Sequence, residues 1–399
     1  MKITAPSFVD KVTAALRGAG FSAYLVGGCV RDHLLETVPH DYDVATNAVP
    51  EQMKEAFSAF RTVETGIEHG TLTVISDGEP VEVTTFRIDG TYTDGRHPDG
   101  VKFTDGIAPD LSRRDFTVNA MAYSDDEGLI DLFGGEEHLK QKLIACVGVP
   151  DERFGEDGLR VLRALRFASR LDFTVEEKTA ESVRRSVPLL LRVSAERIYS
   201  ELTRLLEGPG AARILREFPA VIGTVTDVPE DAVIKAADII DKTERDHITR
   251  LALLFGEAGL GRDGAAQRMR KLKTSRADRD DVIAACRLSA EPLPDGAPAM
   301  RRLIGQVGES SVKRAADIRA ARGDAAAKDA EKLAGEIIAR GDPVRISDLA
   351  VRGGDIQSIV PVEGKEIGEI LEKLLFLVTE EKAKNDRDDL LAAAKEMMK

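Results

Sequence analysis

The pattern of apolar residues along this 399-residue chain changes near residue 136. Before that point, runs such as 71–76 alternate apolar and polar residues with the two-residue period of a β-strand, and helical stretches lie between them. After it, apolar residues recur at helical spacing, as in Leu159, Leu162 and Leu165, and strand signals nearly vanish. The pattern predicts an α/β head followed by a long all-helical body, and the length favours two to four domains.

Composition and charge limit the classes of protein to which the chain can belong. Apolar residues make up 43% and charged residues 31% of the sequence, as in globular proteins rather than disordered ones. No apolar run approaches the roughly 20 residues that cross a bilayer, and the N-terminus lacks the pattern of a secretory signal. Cys29, Cys146 and Cys286 lie far apart, which argues against a zinc site and suits a reducing cytoplasm. The net charge of −13, taken alone, disfavours a nucleic-acid partner.

Two glycines and an arginine follow the first predicted strand, in the segment LVGGCVRD (25–32). Backbone N–H groups at a helix N-terminus bind phosphate, and glycine lets the main chain approach a ligand closely. Gly28 and Arg31 are therefore candidate contacts for a phosphate group, the arginine through a bidentate interaction. An ordinary glycine turn is the better explanation of this segment when it is considered alone.

A pair of acidic residues follows in HDYDVAT (40–46). Asp41 and Asp43 are two residues apart, so both carboxylates point to one side of an extended strand. Mg²⁺ binds one or two such carboxylates together with substrate phosphates, and paired metal ions can activate a hydroxyl and stabilise a leaving pyrophosphate. A solvent-exposed turn is the simpler explanation of this motif alone. Glu82, in the alternating run 81–87, is a candidate third carboxylate that acts as a base or supports the metal.

The two motifs together have the layout of polymerase-β-like nucleotidyltransferases, and further motifs extend the likeness. From Leu25 to about Glu207 the chain resembles the bacterial class II tRNA nucleotidyltransferases, which comprise the CCA-adding enzymes and their poly(A) polymerase relatives. The matching segments, in order, are GGCVRD (27–32), DYD (41–43), TGIEHGT (65–71), RRDFTVNAMA (113–122), DLFGG (131–135), EDGLRVLRALRF (156–167) and ERIYSEL (196–202).

The resemblance implies an α+β fold class, in which a polymerase-β-like head with a small mixed sheet and helices precedes an all-α neck, body and tail. We expect the catalytic head at residues 1–136 and a neck that reads the incoming base at 137–207. A helical body is expected at 208–295, and a helical tRNA-binding tail at 296–399.

Roles for single residues in the head also follow from the resemblance. Gly28 and Arg31 correspond to triphosphate contacts, and Asp41 and Asp43 to Mg²⁺ ligands. In the RRD motif, Arg114 and Asp115 resemble a pair that reads the ribose, with the carboxylate accepting from the 2′-hydroxyl. Asn119 is expected to orient the same nucleotide.

The segment EDGLRVLRALRF carries the expected base reader. Asp157 and Arg160 are three residues apart and would share one face of a helix, and the resemblance makes them a protein template. C and A both present an exocyclic amine beside a ring nitrogen, which suits a carboxylate acceptor and a guanidinium donor. U and G mismatch both contacts, so CTP and ATP are accepted and UTP and GTP rejected. Arg163 and Arg166 continue the stripe and are expected to contact phosphates.

The resemblance predicts an enzyme that adds C, C and A to the 3′ end of tRNA from CTP and ATP. CC-adding relatives have a shortened loop where this chain has residues 87–103, with Arg96 and His97 near the tip, which favours full CCA addition. Addition of A alone and a poly(A) polymerase remain alternatives, although the chain lacks a basic C-terminal extension. A catalytically inactive RNA-binding protein is a further alternative, against which the intact pair of aspartates speaks. The six scattered histidines argue against an additional HD phosphohydrolase domain.

A basic cluster in RMRKLKTSR (268–276) is the candidate contact for the RNA backbone, although a solvated helix face explains it nearly as well. Its residues are Arg268, Arg270, Lys271 and Lys273. If the cluster holds RNA, affinity for RNA falls steeply with salt.

The expected partners are tRNA, CTP and ATP, with a cytoplasmic location, no membrane and no obligate protein partner. ERIYSEL (196–202), with Glu196, Arg197 and Glu201, is expected to stabilise the neck.

Overall fold

The structure is a computed structural model that describes residues 3–90, 100–359 and 364–397. Arg96 and His97, near the tip of the predicted loop, lie outside the described residues. The chain divides between Val225 and Thr226 into two compact units. The four domain boundaries expected from the sequence stay a prediction. Nowhere in the described ranges does a helix have the length and hydropathy of a transmembrane segment.

Strands lie in the first unit, where one mixed sheet carries most of them. Within the described residues the strands are β1 (Ala23–Val26), β2 (Asp43–Thr46), β3 (Arg61–Gly66), β4 (Thr71–Ser76), β5 (Glu79–Thr85), β6 (Arg87–Asp89), β7 (Val101–Phe103), β8 (Met121–Ser124), β9 (Gly128–Asp131), β10 (Leu143–Ile144) and β11 (Thr174–Val175). Among these, seven strands form the main sheet in the order β3-β4-β5-β2-β1-β8-β9. The pairing of β2 with β5 is parallel, and the pairings of β1 with β2 and of β4 with β5 are antiparallel.

The register of this sheet brings acidic residues from two strands side by side. Asp43 is paired with Val26 on β1 and with Glu82 on β5. Directly paired residues on neighbouring strands point to the same face of a sheet. The side chains of Asp43 and Glu82 therefore share one face, although they are 39 positions apart in the printed sequence.

Helices of the first unit cover the sheet and then continue beyond it. They are α1 (Ser7–Gly18), α2 (Gly28–Leu34), α3 (Pro50–Ala56), α4 (Ile107–Ser112), α5 (Gly135–Lys140), α6 (Pro150–Glu156), α7 (Leu159–Leu171), α8 (Glu177–Arg185), α9 (Ala195–Leu206) and α10 (Ala211–Glu217), with α11 (Pro219–Thr226) at the boundary of the units. Val9, Val12 and Leu16 recur at helical spacing on α1 and are fully buried where the helix packs against β1, β4 and β5.

Helices α7 and α9 pack against each other and hold the polar segments of the second half of this unit. Leu162 and Leu165 on α7 and Leu202 and Leu205 on α9 are fully buried. Close packing of these buried side chains fixes the orientation of the two helices relative to each other. Their polar residues are consequently held in fixed directions.

Within its described residues the second unit is made of helices and the segments that connect them. They are α12 (Glu230–Ala237), α13 (His247–Glu257), α14 (Arg262–Lys271), α15 (Arg276–Ser289), α16 (Ala297–Val307), α17 (Glu309–Ala321), α18 (Ala326–Ala339), α19 (Gly353–Gln357), α20 (Lys365–Thr379) and α21 (Arg387–Glu396). Helices α13, α15 and α17 pack together, with Leu253 and Ile318 among the fully buried residues. Residues 290–296, which contain two prolines and a glycine, connect α15 to α16 within this unit.

Candidate active site

The turn between β1 and α2 places glycine where no other residue fits well. Gly27 has φ +74°, and a Cβ atom there would lie 2.9 Å from Nη1 of Arg114. Positive φ and close approach both favour glycine. Helix α2 begins at Gly28, and Nη1 of Arg31 donates to Oδ1 of Asn119 at 2.7 Å. The predicted triphosphate contacts thus lie beside the predicted nucleotide-orienting asparagine.

The predicted metal ligands lie at the start of β2. Asp41 is exposed, whereas Asp43 is partly buried as the first residue of the strand. Burial, then the charges of Asp41 and Glu82, raise the pKa of Asp43 to about 6, against a smaller lowering by Arg114. A bound cation would relieve this repulsion. Among the described residues no group of three or more His, Cys, Asp or Glu side chains could hold a metal ion by itself, so phosphate ligands would complete the site.

The RRD motif is held by three ion pairs. Asp110, whose side chain is 1% exposed, pairs with Arg113 at 2.8 Å and with Arg114 at 3.4 Å. The carboxylate of Asp115 pairs with Arg163 on α7 at 2.6 Å. Burial opposes ionisation of Asp115, but Arg163, Arg160 and the backbone N–H of Phe116 together outweigh it and lower the pKa of the carboxyl. The predicted ribose reader is therefore an ionised acceptor.

The predicted base reader differs from expectation in one respect. Asp157 does not lie on the helix that carries Arg160: it has extended backbone after α6, and α7 begins at Leu159. The reason is that Asp157 caps the first turn of α7: its Oδ1 accepts from the backbone N–H of Leu159 at 3.0 Å, and its carbonyl oxygen accepts from that of Arg160 at 2.9 Å. The prediction that both side chains share a helix face was wrong in this detail. Both residues nevertheless line one cleft.

The two arginines that follow on α7 are bound by acidic groups of the protein. Arg163 lies 3.6 Å from Glu201 of α9 and Arg166 lies 2.5 Å from it. Burial, only partly offset by the Glu201 charge, lowers the pKa of Arg166 to about 10. The Arg166 guanidinium also stacks on Phe167, 3.8 Å from the ring centre. The expected phosphate contacts of both arginines stay a prediction.

One cleft of about 570 Å³ brings these groups together. Its lining residues are Gly27, Gly28, Arg31, Asp41, Asp43, Arg113, Arg114, Asp115, Asn119, Asp157, Leu159, Arg160, Arg163, Arg166, Phe167, Arg197 and Arg204. Eight arginines and four aspartates line it, so cationic side chains outnumber anionic ones at its wall although the chain carries a net charge of −13. An excess of cationic side chains in a cleft favours binding of phosphate groups there, even in a protein whose net charge is negative.

Sequence reasoning missed several lining residues, and one of them had a readable signal. Arg204 lies seven residues after Arg197 on α9, so both occupy the same helix face. Phe167 gave no signal, because an aromatic residue in an apolar stripe is ordinarily core. Glu82 is not among the lining residues, although its register places it beside Asp43.

The predicted RNA-binding cluster belongs to the second unit, at the end of α14. Arg268 donates from Nε to the carbonyl oxygen of Asp227 at 3.1 Å, and Lys271 pairs with its carboxylate at 2.5 Å. Arg270 and Lys273 are exposed. Asp227 therefore neutralises part of the positive charge that the sequence shows there.

Comparison with known proteins places the chain in a family. Family models match three segments: Poly A polymerase head domain at 23–145, Probable RNA and SrmB- binding site of polymerase A at 172–218, and tRNA nucleotidyltransferase domain 2 putative at 243–394. The CCA-adding enzyme of Levilactobacillus brevis is 36% identical over 394 residues, which cover 96% of each chain. The chain belongs to the family of CCA-adding enzymes.

Other CCA-adding enzymes match over part or all of the chain. That of Lactobacillus delbrueckii subsp. bulgaricus is 47% identical over 209 residues, so the match spans about half of that relative, 52%. The crystal structure of Bacillus stearothermophilus CCA-adding enzyme in complex with CTP has a TM-score of 0.84 and 29% identity, covering 99% of this chain and 98% of that one. The predicted family and fold class are confirmed. Nucleotidyltransferases of this family generally use a divalent metal ion.

Proposed function

We propose that this member of the CCA-adding enzymes adds C, C and A to the 3′ end of tRNA from CTP and ATP, without a nucleic-acid template. The observation that carries the proposal is the cleft in which the Asp41–Asp43 pair and the Asp157–Arg160 pair occur together. The first pair suits phosphoryl chemistry and the second suits recognition of a base. The full-length match to the Levilactobacillus brevis enzyme supports the same activity.

In the proposed reaction the tRNA 3′-hydroxyl oxygen attacks the α-phosphorus of the nucleotide. A new O–P bond forms, the bond to the β-phosphate oxygen breaks, and pyrophosphate leaves with the electron pair. Mg²⁺ held by Asp41 and Asp43 would supply electrostatic stabilisation of the reacting phosphate and leaving group. Glu82 is placed on the same sheet face as Asp43 and is the proposed acceptor of the hydroxyl proton.

The remaining cleft residues would bind and orient the nucleotide. Gly28 and Arg31 approach the triphosphate, because a backbone N–H and a guanidinium both favour phosphate oxygens. Asp115 accepts from the ribose 2′-hydroxyl, and Asp157 with Arg160 reads the base edge. Holding both reactants in place supplies much of the rate enhancement of such enzymes.

The rest of the chain has proposed roles consistent with this activity. Residues 1–136 form the catalytic head, 137–207 the neck, 208–295 the body and 296–399 the tRNA-binding tail. Backbone contact with tRNA falls to Arg268, Arg270, Lys271 and Lys273. We place the enzyme in the cytoplasm, which fits three cysteines that are free and buried.

A gel assay with tRNA that lacks its terminal CCA tests the proposal. With CTP alone the expected product is two nucleotides longer, and with CTP and ATP together it is three nucleotides longer and stops there. UTP and GTP should give no product. Long A tracts formed from ATP alone would instead indicate a poly(A) polymerase, and an unextended tRNA in every lane would contradict any transferase activity.

The Asp43→Asn variant is the control for the metal site in the same assay. It keeps the size of the side chain and removes the charge that would bind Mg²⁺. Product should disappear, since phosphoryl transfer depends on this electrostatic stabilisation. Unchanged extension by the variant would show that the metal site is assigned to the wrong residues.

A further inference from the structure

The carboxylate of Asp157 is held from one side by an arginine of another helix. Oδ2 of Asp157 accepts from Nη2 of Arg197 at 2.6 Å, and Oδ1 accepts from Nη1 at 3.3 Å. Oδ1 also accepts from the backbone N–H of Leu159 at 3.0 Å. The Asp157 side chain is 13% exposed and that of Arg197 is 25% exposed, so both are largely shielded from water.

The backbone alone does not fix the direction of this carboxylate. Asp157 has extended backbone before the first turn of α7, and its side chain takes one hydrogen bond from that turn, the one from Leu159. Without Arg197, the backbone N–H of Leu159 would be the one donor left to the Asp157 carboxylate among the described residues. A guanidinium that binds both oxygens sets the plane of the carboxylate as well as its position. Arg197 is held in turn by α9, whose Leu202 and Leu205 are fully buried.

The Asp157 carboxylate has one hydrogen-bond acceptor position that its protein partners among the described residues do not occupy. Each carboxylate oxygen accepts about two hydrogen bonds. The donors Leu159 and Arg197 occupy Oδ1, and Arg197 occupies one position of Oδ2. One acceptor position on Oδ2 is therefore left for a ligand, and the ion-paired carboxylate offers no donor there. The exocyclic amine on C4 of cytosine or C6 of adenine can use that position, whereas the carbonyl that uracil or guanine carries there meets repulsion between two acceptors.

We propose that Arg197 is a positioning residue that sets nucleobase selectivity, by holding Asp157 with a single acceptor open to the exocyclic amine of C or A. This inference rests on the proposed function. It goes beyond the expectation that the ERIYSEL segment only stabilises the neck. A purely structural Arg197 would change stability without changing the choice between CTP and UTP.

Steady-state kinetics on tRNA lacking CCA distinguishes a positioning role of Arg197 from a purely structural one. The ratio of kcat/KM for CTP to that for UTP is measured for the wild type, Arg197→Ala and Arg197→Lys. Loss of a charged hydrogen-bond partner should lower this ratio roughly 10- to 100-fold in Arg197→Ala. Most of the change should appear in the KM for CTP. Arg197→Lys keeps the positive charge but lacks the planar guanidinium that binds both carboxylate oxygens, so it should give an intermediate ratio.

Arg185→Ala is the matched control. Arg185 forms a similar ion pair with Asp151 at 3.0 Å, but both side chains are 58% exposed and neither lines the cleft. Its selectivity ratio should equal that of the wild type. Thermal melting of each variant shows whether it is folded. If Arg197→Ala does not fold, Arg197→Lys carries the test, and an unchanged ratio in that variant overturns the proposal.

A double-mutant cycle tests whether Arg197 acts through Asp157. In the Asp157→Ala background, Arg197→Ala should cause no further loss of selectivity, because the group that it positions is absent. An equal further loss in that background overturns the proposal. A wild-type protein that extends tRNA with CTP and UTP alike contradicts the proposed function instead, so the two failures are distinguishable.

Discussion

Asp115 and Arg163 join the RRD motif to helix α7 through one carboxylate oxygen. Oδ2 of Asp115 accepts from Nε of Arg163 at 2.9 Å and from Nη2 at 2.6 Å. The other oxygen accepts from the backbone N–H of Phe116 at 2.9 Å. Since Glu201 lies on the far side of Arg163, the guanidinium is placed between two carboxylates. The proposed ribose reader is thus positioned by the same helix that carries Arg160.

Removing Arg163 should destabilise the protein. Arg163→Met leaves the nearly buried Asp115 without its ion-pair partner, which we expect to cost roughly 2–3 kcal/mol in the free energy of unfolding. The cost is below that of a fully buried pair, because 33% of the Arg163 side chain is exposed. Urea denaturation measures it. The same substitution at exposed Arg170 on α7 should cost under about 0.5 kcal/mol; equal costs would contradict the prediction.

The raised pKa of Asp43 predicts a pH-dependent gain in stability on its neutralisation. Between its ordinary value of 3.8 and about 6, the folded protein binds more protons at this carboxyl than the unfolded chain does. The ionised group therefore destabilises the fold above pH 6, and this penalty fades as pH falls towards 4. In the presence of a chelator at pH 7.5, Asp43→Asn should be more stable than the wild type. Its free energy of unfolding, measured by urea denaturation, should be higher by up to about 3 kcal/mol.

The comparison of the two proteins near pH 4 is the internal control for Asp43. Their free energies of unfolding should converge there, since the wild-type carboxyl is by then protonated in the folded state. Mg²⁺ at pH 7.5 should stabilise the wild type and leave Asp43→Asn unchanged. A variant less stable than the wild type at pH 7.5 would show that Asp43 is not under electrostatic strain.

Gly27 should be sensitive to alanine for a reason that Gly78 does not share. Both have positive φ, +74° and +88°, so alanine strains the backbone at each by roughly 1–3 kcal/mol. Only at Gly27 would the new Cβ lie 2.9 Å from Nη1 of Arg114, whereas Gly78 has open space. Gly27→Ala should therefore slow single-turnover C addition roughly 10-fold or more. Gly78→Ala should lower the melting temperature alone; equal slowing by both would rule out the Arg114 contact as the cause.

Neutralising Asp227 should strengthen tRNA binding if the basic cluster of α14 contacts RNA. Asp227→Asn removes the charge that pairs with Lys271, and asparagine tolerates the positive φ of 56° at this position. Affinity measured by fluorescence anisotropy should rise, and its dependence on salt should steepen. Asp329→Asn, an equal charge change at an exposed position on α18, is the control. Equal gains from both variants would mean that overall charge, rather than this cluster, is responsible.

Elements whose signals are local could be predicted closely. The run 71–76, with its two-residue period, is β4 (Thr71–Ser76), and the helical spacing of Val9, Val12 and Leu16 is that of α1 (Ser7–Gly18). In both, the spacing of apolar residues, every second residue in β4 and every three to four in α1, matches the face that is buried. The helix expected to carry both Asp157 and Arg160 starts later instead, at Leu159. Its boundary lies at Asp157, which caps the first turn of α7 and whose carboxylate is held by Arg197 of α9, a contact that no local pattern contains.

The sequence by itself determined which chemical groups the site contains and in what order, because glycine turns, paired aspartates and helix periodicity are local properties of a chain. Only the tertiary structure decided which groups hold one another. Arg197 reaches Asp157 across 40 residues and Arg163 reaches Asp115 across 48. Ion pairing and burial depend on packing between distant segments, and the same packing sets the pKa of Asp43 and leaves one acceptor open on Asp157.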